Sequence, residues 1–231
     1  MPEKRYWIQD HSASGMINSD ERYADIIENC DLLLEKLSSY SQKDSTPEGA
    51  MISQLKWLKE QTKAWSLELP LDGRYIATLS YVFTEGSLRW LATSREEYVR
   101  TVEVYEKRLI SLTRHGCFLA KREYYPYAVR CINKLIAILE NASRPLSAEE
   151  KACIPELNAL GDKLAREEIE PPLMIGNDYP NFREIYAPWE CTIEDLPEGR
   201  AVSRVVSDFV FNGRRPQSWA TTQAADQETN F

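Results

Sequence analysis

Residues 18–40 read NSDERYADIIENCDLLLEKLSSY, and within them Tyr23, Ile26, Ile27, Cys30, Leu33, Leu34, Leu37 and Tyr40 recur at three- and four-residue steps. That spacing puts one apolar stripe along a helix, to be buried against a core. Asn18 followed by Glu21 has the form of a capping pair, so the helix is expected to start near Ser19. A polar linker over 41–46 ends it.

The same period recurs along the chain. Thr46 then Pro47 reads as a cap and a first helical residue, and Met51, Leu55, Leu58, Thr62 and Trp65 form a second stripe that Pro70 stops. Residues 75–91 are helical in period, but their β-branched and aromatic content leaves a strand open. Ser94 with Glu97 begins a helix through Tyr98, Val102, Tyr105, Leu109 and Leu112, with Gly116 as a left-handed stop. Pro126 opens the next, carrying Ala128, Cys131, Ile132, Leu135, Ile138 and Leu139. Ser147 with Glu150 caps another, and Pro155 is expected to break it into a short turn and a longer helix, because proline removes a helix donor.

Beyond Glu170 the texture changes: Pro171, Pro172, Pro180, Pro188 and Pro197 fall within thirty residues. Leu173, Met174, Tyr179, Phe182, Ile185, Tyr186 and Trp189 make the stretch too apolar for a disordered linker. The expected architecture is mainly α and bundle-like. A helical body over 1–170 is followed by an irregular Pro- and aromatic-rich wrapping segment over 171–199, a C-terminal helix over 200–216 that stops at Gly213, and a polar tail over 217–231, all expected by length to belong to one domain.

No run of apolar residues approaches a membrane span, and residues 1–10 lack the pattern of a secretory signal, so a soluble cytoplasmic protein is expected. The five cysteines, Cys30, Cys117, Cys131, Cys153 and Cys191, include no Cys-x-x-Cys pair. They read as reduced thiols packed as small hydrophobes.

Charge is distributed unevenly. Residues 140–200 hold fourteen Asp and Glu against six Lys and Arg, which equals the whole net charge of −8. Residues 89–134 hold ten basic residues against five acidic ones. Basic helices and an acidic C-terminal region can face each other, or the acidic region can present an anionic, aromatic surface to a basic protein partner. The residues that would form such a surface are Glu167, Glu168, Glu170, Asp178, Tyr179, Phe182, Glu184, Tyr186, Trp189, Glu190, Glu194 and Asp195.

Few chemistries are indicated. The two histidines, His11 and His115, announce no nucleophile–base pair, no Cys/His set has zinc spacing, and no phosphate-binding glycine loop occurs. Glu96–Glu97 and Glu167–Glu168 are neighbours that point different ways on a helix. No metal and no cofactor is expected. Arg200, Arg204, Arg214 and Arg215 form a local basic set, but the net charge opposes non-specific binding to nucleic acid.

Arg108 and His115, with six residues between them, resemble the Arg-x(4–6)-His signature of the HEPN ribonucleases, helical proteins in which such a pair acts on RNA phosphodiesters, often across a dimer. The resemblance covers residues 108–115 and implies RNA cleavage by Arg108 and His115 as an alternative activity. The leading expectation is a non-enzymatic protein that occludes a toxin or effector, as a bacterial immunity or antitoxin-like protein does. A structural adaptor and self-association remain alternatives.

Overall fold

The geometry comes from a computed structural model that describes residues 6–7, 16–17, 20–39, 43, 46–67, 69, 71, 102, 104–114, 117–173, 179–186, 192–193 and 195–215. Seven α-helices lie among these residues and the fold is mainly α. The chain forms two compact units, Met1–Leu119 and Ala120–Phe231. The division falls inside the stretch read from sequence as one helical body over 1–170.

In the N-terminal unit, residues 6–7 and 16–17 make a short antiparallel pair, with Tyr6 opposite Ile17. Helix α1 spans Asp20–Lys36 and buries Tyr23, Ile26, Cys30 and Leu33, continuing to Leu37 just past its end. The periodic stripe is therefore the core face; its expected cap at Asn18 and its last member Tyr40 lie outside the described residues. A second stripe, Arg22, Asp25 and Asn29, is buried beside the first, so α1 is covered over more of its circumference than its apolar residues alone indicate. The Arg22 guanidinium lies 4.5 Å from the centre of the Phe118 ring, and Asn29 Nδ2 donates to the Asp25 carbonyl at 2.7 Å. These contacts offset only part of the cost of burying the stripe, since Asn29 Oδ1 and Asp25 Oδ2 are buried without a hydrogen bond among the described residues.

Helix α2, Pro47–Lys63, starts as its sequence requires: Thr46 Oγ1 accepts from Gly49 N at 3.1 Å, and Pro47 occupies the first turn. It ends before the expected stripe does. Trp65 N donates to the Thr62 carbonyl and Ser66 N to the Gln61 carbonyl, both at 3.1 Å, with Trp65 itself at φ +54°. This is a left-handed helix stop with tryptophan where glycine is usual. The tryptophan is held by contact, its ring centroid lying 4.4 Å from that of Tyr23, while Tyr23 Oη donates to the Leu67 carbonyl at 2.9 Å. Helix α3, Val104–Thr113, buries Leu109 and Leu112. Both α2 and α3 pack on α1. The helix or strand expected over 75–91, the Ser94–Glu97 cap and the Gly116 stop lie outside the described residues.

The C-terminal unit is built from four helices. Helix α4, Tyr125–Glu140, follows a single 3-10 turn at Arg122–Tyr124 and carries Pro126 in its first turn. Helix α5, Ala148–Ala165, has the expected capping box: Glu150 N donates to Ser147 Oγ, and Ser147 N donates to the Glu150 carboxylate. Pro155 does not break it. The proline lies on the exposed side, as does Lys151, whose carbonyl loses its helical donor and can turn to water, while Cys153, Leu157, Leu160 and Leu164 keep the opposite face buried.

The expected wrapping segment is partly regular, because Pro180–Tyr186 form helix α6. Its free N-terminal amides are capped from α5: the Glu156 carboxylate accepts from Phe182 N at 2.9 Å, Asn181 N at 3.3 Å and Asn181 Nδ2 at 2.6 Å. Helix α7 spans Gly199–Val210 rather than 200–216. Gly213, at φ +61°, follows it, and a Cβ there would lie 2.8 Å from Pro172 Cδ. Leu173 N donates to the Val210 carbonyl at 2.7 Å and Ala120 N to that of Gly213 at 2.8 Å, so the segment after α5 and the start of the unit both close on the end of α7. Helix α5 packs on α4 and α6, and α7 on α4 and α6, around a core that includes Ile132, Leu157, Phe182, Val206 and Phe209.

Candidate protein-docking surface

The residues expected to make one anionic, aromatic face separate in the structure by what their side chains can tolerate. Phe182 is fully buried and Tyr179 nearly so, and both belong to the core of the C-terminal unit. The Phe182 ring stacks on Phe211 with centroids 5.6 Å apart. The expectation that these two face a partner does not hold, because Phe182 on α6 and Tyr179 just before it both point into the core, where a rigid aromatic stabilises the unit more than on a wet surface. Asp178, Trp189, Glu190, Glu194 and the side chain of Tyr186 lie outside the described residues. Glu184 is exposed on α6.

Glu167, Glu168 and Glu170 are exposed where the chain leaves α5. Glu167 N donates to the Leu164 carbonyl at 3.0 Å and Glu168 N to that of Lys163 at 2.9 Å, with Glu167 at φ +55°. These two bonds define a Schellman stop with glutamate in the position that usually belongs to glycine. Carboxylates at this end also face the negative pole of the helix dipole. Two exposed ion pairs soften that arrangement, Arg122 with Glu167 and Arg166 with Glu168, each at 3.1 Å.

Asp195 has a different role. Arg144 Nε donates to Asp195 Oδ2 at 2.6 Å and Nη2 to Oδ1 at 3.0 Å, while Nη1 and Nη2 each donate to the Glu150 carboxylate at 2.8 Å. The same guanidinium reaches the Thr192 carbonyl at 2.9 Å and the Pro145 carbonyl at 3.2 Å. One arginine thus joins the α4–α5 connection, the first turn of α5 and the segment before α7. Its hydrogen bonds hold the Glu150 and Asp195 carboxyls below the usual carboxylate range, Glu150 against the opposing effect of burial. Sequence inspection missed this cluster because its members are far apart along the chain. Only the Ser147–Glu150 spacing hinted at it, and that spacing reported the cap alone.

The acidic region is therefore partly consumed inside its own unit. Glu150 and Asp195 hold Arg144, Glu156 caps α6, and Glu198 pairs with Lys134 at 2.8 Å. Among the described residues some of these carboxylates face basic side chains of their own unit, while Glu167, Glu168, Glu170 and Glu184 are exposed.

Arg108 is half-buried on α3 with its guanidinium 5.8 Å from the Tyr105 ring centre. His115, the expected partner of Arg108, and His11 lie outside the described residues. No group of three or more His, Cys, Asp or Glu side chains is placed to hold a metal among the described residues, and no helix among them is long and apolar enough to cross a membrane. Cys30 and Cys153 are buried, Cys117 and Cys131 half-buried. Burial pushes the Cys30 thiol up to about 12, with Asp31 adding to the effect, and raises Cys153 as well. Neither is a nucleophile at neutral pH.

No family model matches the sequence, and neither the curated proteins nor the solved structures yield a match.

Proposed function

We propose that the chain is a non-enzymatic binding protein that occludes a partner with a basic surface, in the manner of a bacterial immunity or antitoxin-like protein. The observation that carries the reading is the acidic turn of Glu167, Glu168 and Glu170, exposed at the negative end of α5. Carboxylates there work against the helix dipole, and Glu167 occupies a left-handed position that glycine would fill at lower cost. Departures from local stability rules concentrate at functional sites. The ion pairs from Arg122 and Arg166 are exposed and therefore weak, so basic groups of a partner can replace them. An anionic site of this kind speeds encounter with a cationic partner and covers the surface through which that partner engages an anionic substrate.

The test compares the natural chain with a Glu167→Lys, Glu168→Lys, Glu170→Lys variant. Each is used as bait in extract of the native host at low and high salt, and the captured protein is then co-expressed with each. The expected result is a partner that is retained at low salt, lost at high salt and lost by the variant, and whose toxicity is relieved only by the natural chain. Equal retention by both baits, or a partner whose effects neither chain alters, would overturn the reading.

A further inference from the structure

Three stretches far apart in sequence meet at one end of the C-terminal unit: the start of α4 over 120–125, the exit from α5 over 166–173 and the exit from α7 over 208–215. Hydrogen bonds fix them to one another. Tyr125 Oη donates to the Ile169 carbonyl at 3.1 Å, Leu173 N to that of Val210 at 2.7 Å and Ala120 N to that of Gly213 at 2.8 Å. Arg215 Nη1 donates to Tyr124 Oη at 3.3 Å, and its guanidinium lies 5.7 Å from the centre of the same ring. The charged side chains of this end are therefore carried on a framework set before anything binds, which lowers the ordering cost of docking.

Its charge differs from that of the chain as a whole. The three stretches hold five basic and five acidic residues, whereas the whole chain carries −8. Glu167, Glu168 and Glu170 are exposed at the α5 exit; Arg122 is exposed at the start of α4, and Lys121, Arg214 and Arg215 are half-buried around it. The two signs adjoin, since Arg122 Nη1 stands 3.1 Å from Glu167 Oε2, with the side chains 70% and 53% exposed. Ile169 and Leu173, both only partly buried, add apolar surface to the same stretch as the acids. Two copies of the chain repel on average through their net charge, and the face at which they can approach is the one where that charge cancels. A patch with both signs side by side is complementary to itself: a twofold rotation lays the acids of one copy over the bases of the other, and the reverse.

We propose that this end of the C-terminal unit docks a second copy of the chain about a twofold axis, with Glu167 of each copy against Arg122 of the other. The pair within each chain is kept, because a guanidinium has several donors and a carboxylate two oxygens with which to take a further contact. The acidic turn assigned above to a basic partner is part of this surface, so that partner and a second copy exclude one another. The pairing rests on the charges of this end and not on that assignment.

Sedimentation velocity on the purified full chain at physiological ionic strength, over a range of concentrations, tests this, with Glu167→Lys and Arg122→Glu as variants. Both side chains are exposed, so the fold is retained. The natural chain should pass from monomer to dimer as concentration rises. Each variant alone sets like charges against each other twice across the axis and should dimerise roughly tenfold more weakly. An equal mixture of the two variants should recover the dimer, because in the mixed pair these contacts again join opposite charges. A natural chain that stays monomeric throughout, variants that dimerise as it does, or a mixture no tighter than its components overturns the proposal. Capture of a basic partner by a chain that stays monomeric would remove this inference and leave the function proposed above standing.

Discussion

The carboxylate of Glu150 and the guanidinium of Arg144 face each other through two hydrogen bonds of 2.8 Å, with the acid almost wholly buried and the base part-exposed. Their substitutions are therefore not equivalent. Removing Glu150 leaves an arginine that water can reach and that Asp195 still holds; Glu150→Ala should cost about 1–3 kcal/mol through lost hydrogen bonds and the lost half of the capping box. Removing Arg144 leaves a buried carboxylate without its cation, which is the more damaging change. Denaturant unfolding should place Arg144→Ala below Glu150→Ala, and the reverse order would show that the pair is stabilised by something other than the buried charge.

The same pair sets a pH dependence. Glu150 and Asp195 are both depressed, chiefly by hydrogen bonds from Arg144, so the folded state binds their protons less readily than the unfolded chain does. Their contribution is fully present above the unfolded carboxylate range, near pH 5 and upward, and is lost as pH falls through about 4 and below. Unfolding measured from pH 7 to pH 3 should lose stability at the acid end. Arg144→Met should flatten that loss; a variant curve parallel to that of the natural chain would remove these two groups from the explanation.

What the sequence could announce was whatever is written locally. The 18–40 periodicity, Thr46–Pro47, Ser147–Glu150 and the glycine after α7 are each read within a turn or two of the residues concerned, and each has its counterpart in the structure. Arg144 with Asp195, Glu156 over α6, and the inward turn of Tyr179 and Phe182 depend on long-range packing that no local pattern encodes. The division at Leu119 and Ala120 was equally hidden, since it follows from which helices share a core. Composition shows a concentration of acid over residues 140–200, but could not separate the carboxylates that hold the unit together, Glu150, Glu156 and Asp195, from those exposed on its surface.

Glu167 allows the cost of the acidic turn to be measured. In the left-handed position of the α5 stop, glycine avoids the clash between Cβ and carbonyl that glutamate incurs, although it loses more freedom on folding. Glu167→Gly also deletes an exposed ion pair of little worth. The expected net gain is about 0.5–1 kcal/mol, read as a raised denaturant midpoint at unchanged slope. If partner capture also falls in this variant, stability and binding are in direct conflict at this residue. A loss of stability would mean that the turn is not strained and would weaken the argument that function holds the glutamate there.

Pro155 tests how a helix survives an interior proline. Its ring occupies a position from which an amide would otherwise donate to the Lys151 carbonyl, and the helix runs through to Ala165 regardless. The exposed setting of both residues lets water take that carbonyl, while the buried face from Cys153 to Leu164 provides the continuity. Alanine would restore the hydrogen bond and a helix-favouring residue, but would also free the unfolded chain, which offsets part of the gain. Pro155→Ala should therefore stabilise the C-terminal unit by about 1–2 kcal/mol, well short of the ~3 kcal/mol that separates the two residues in an isolated helix. A neutral or negative result would show that α5 bends at this position to fit its neighbours α4 and α6, and that a straighter helix loses in packing what it gains in hydrogen bonding.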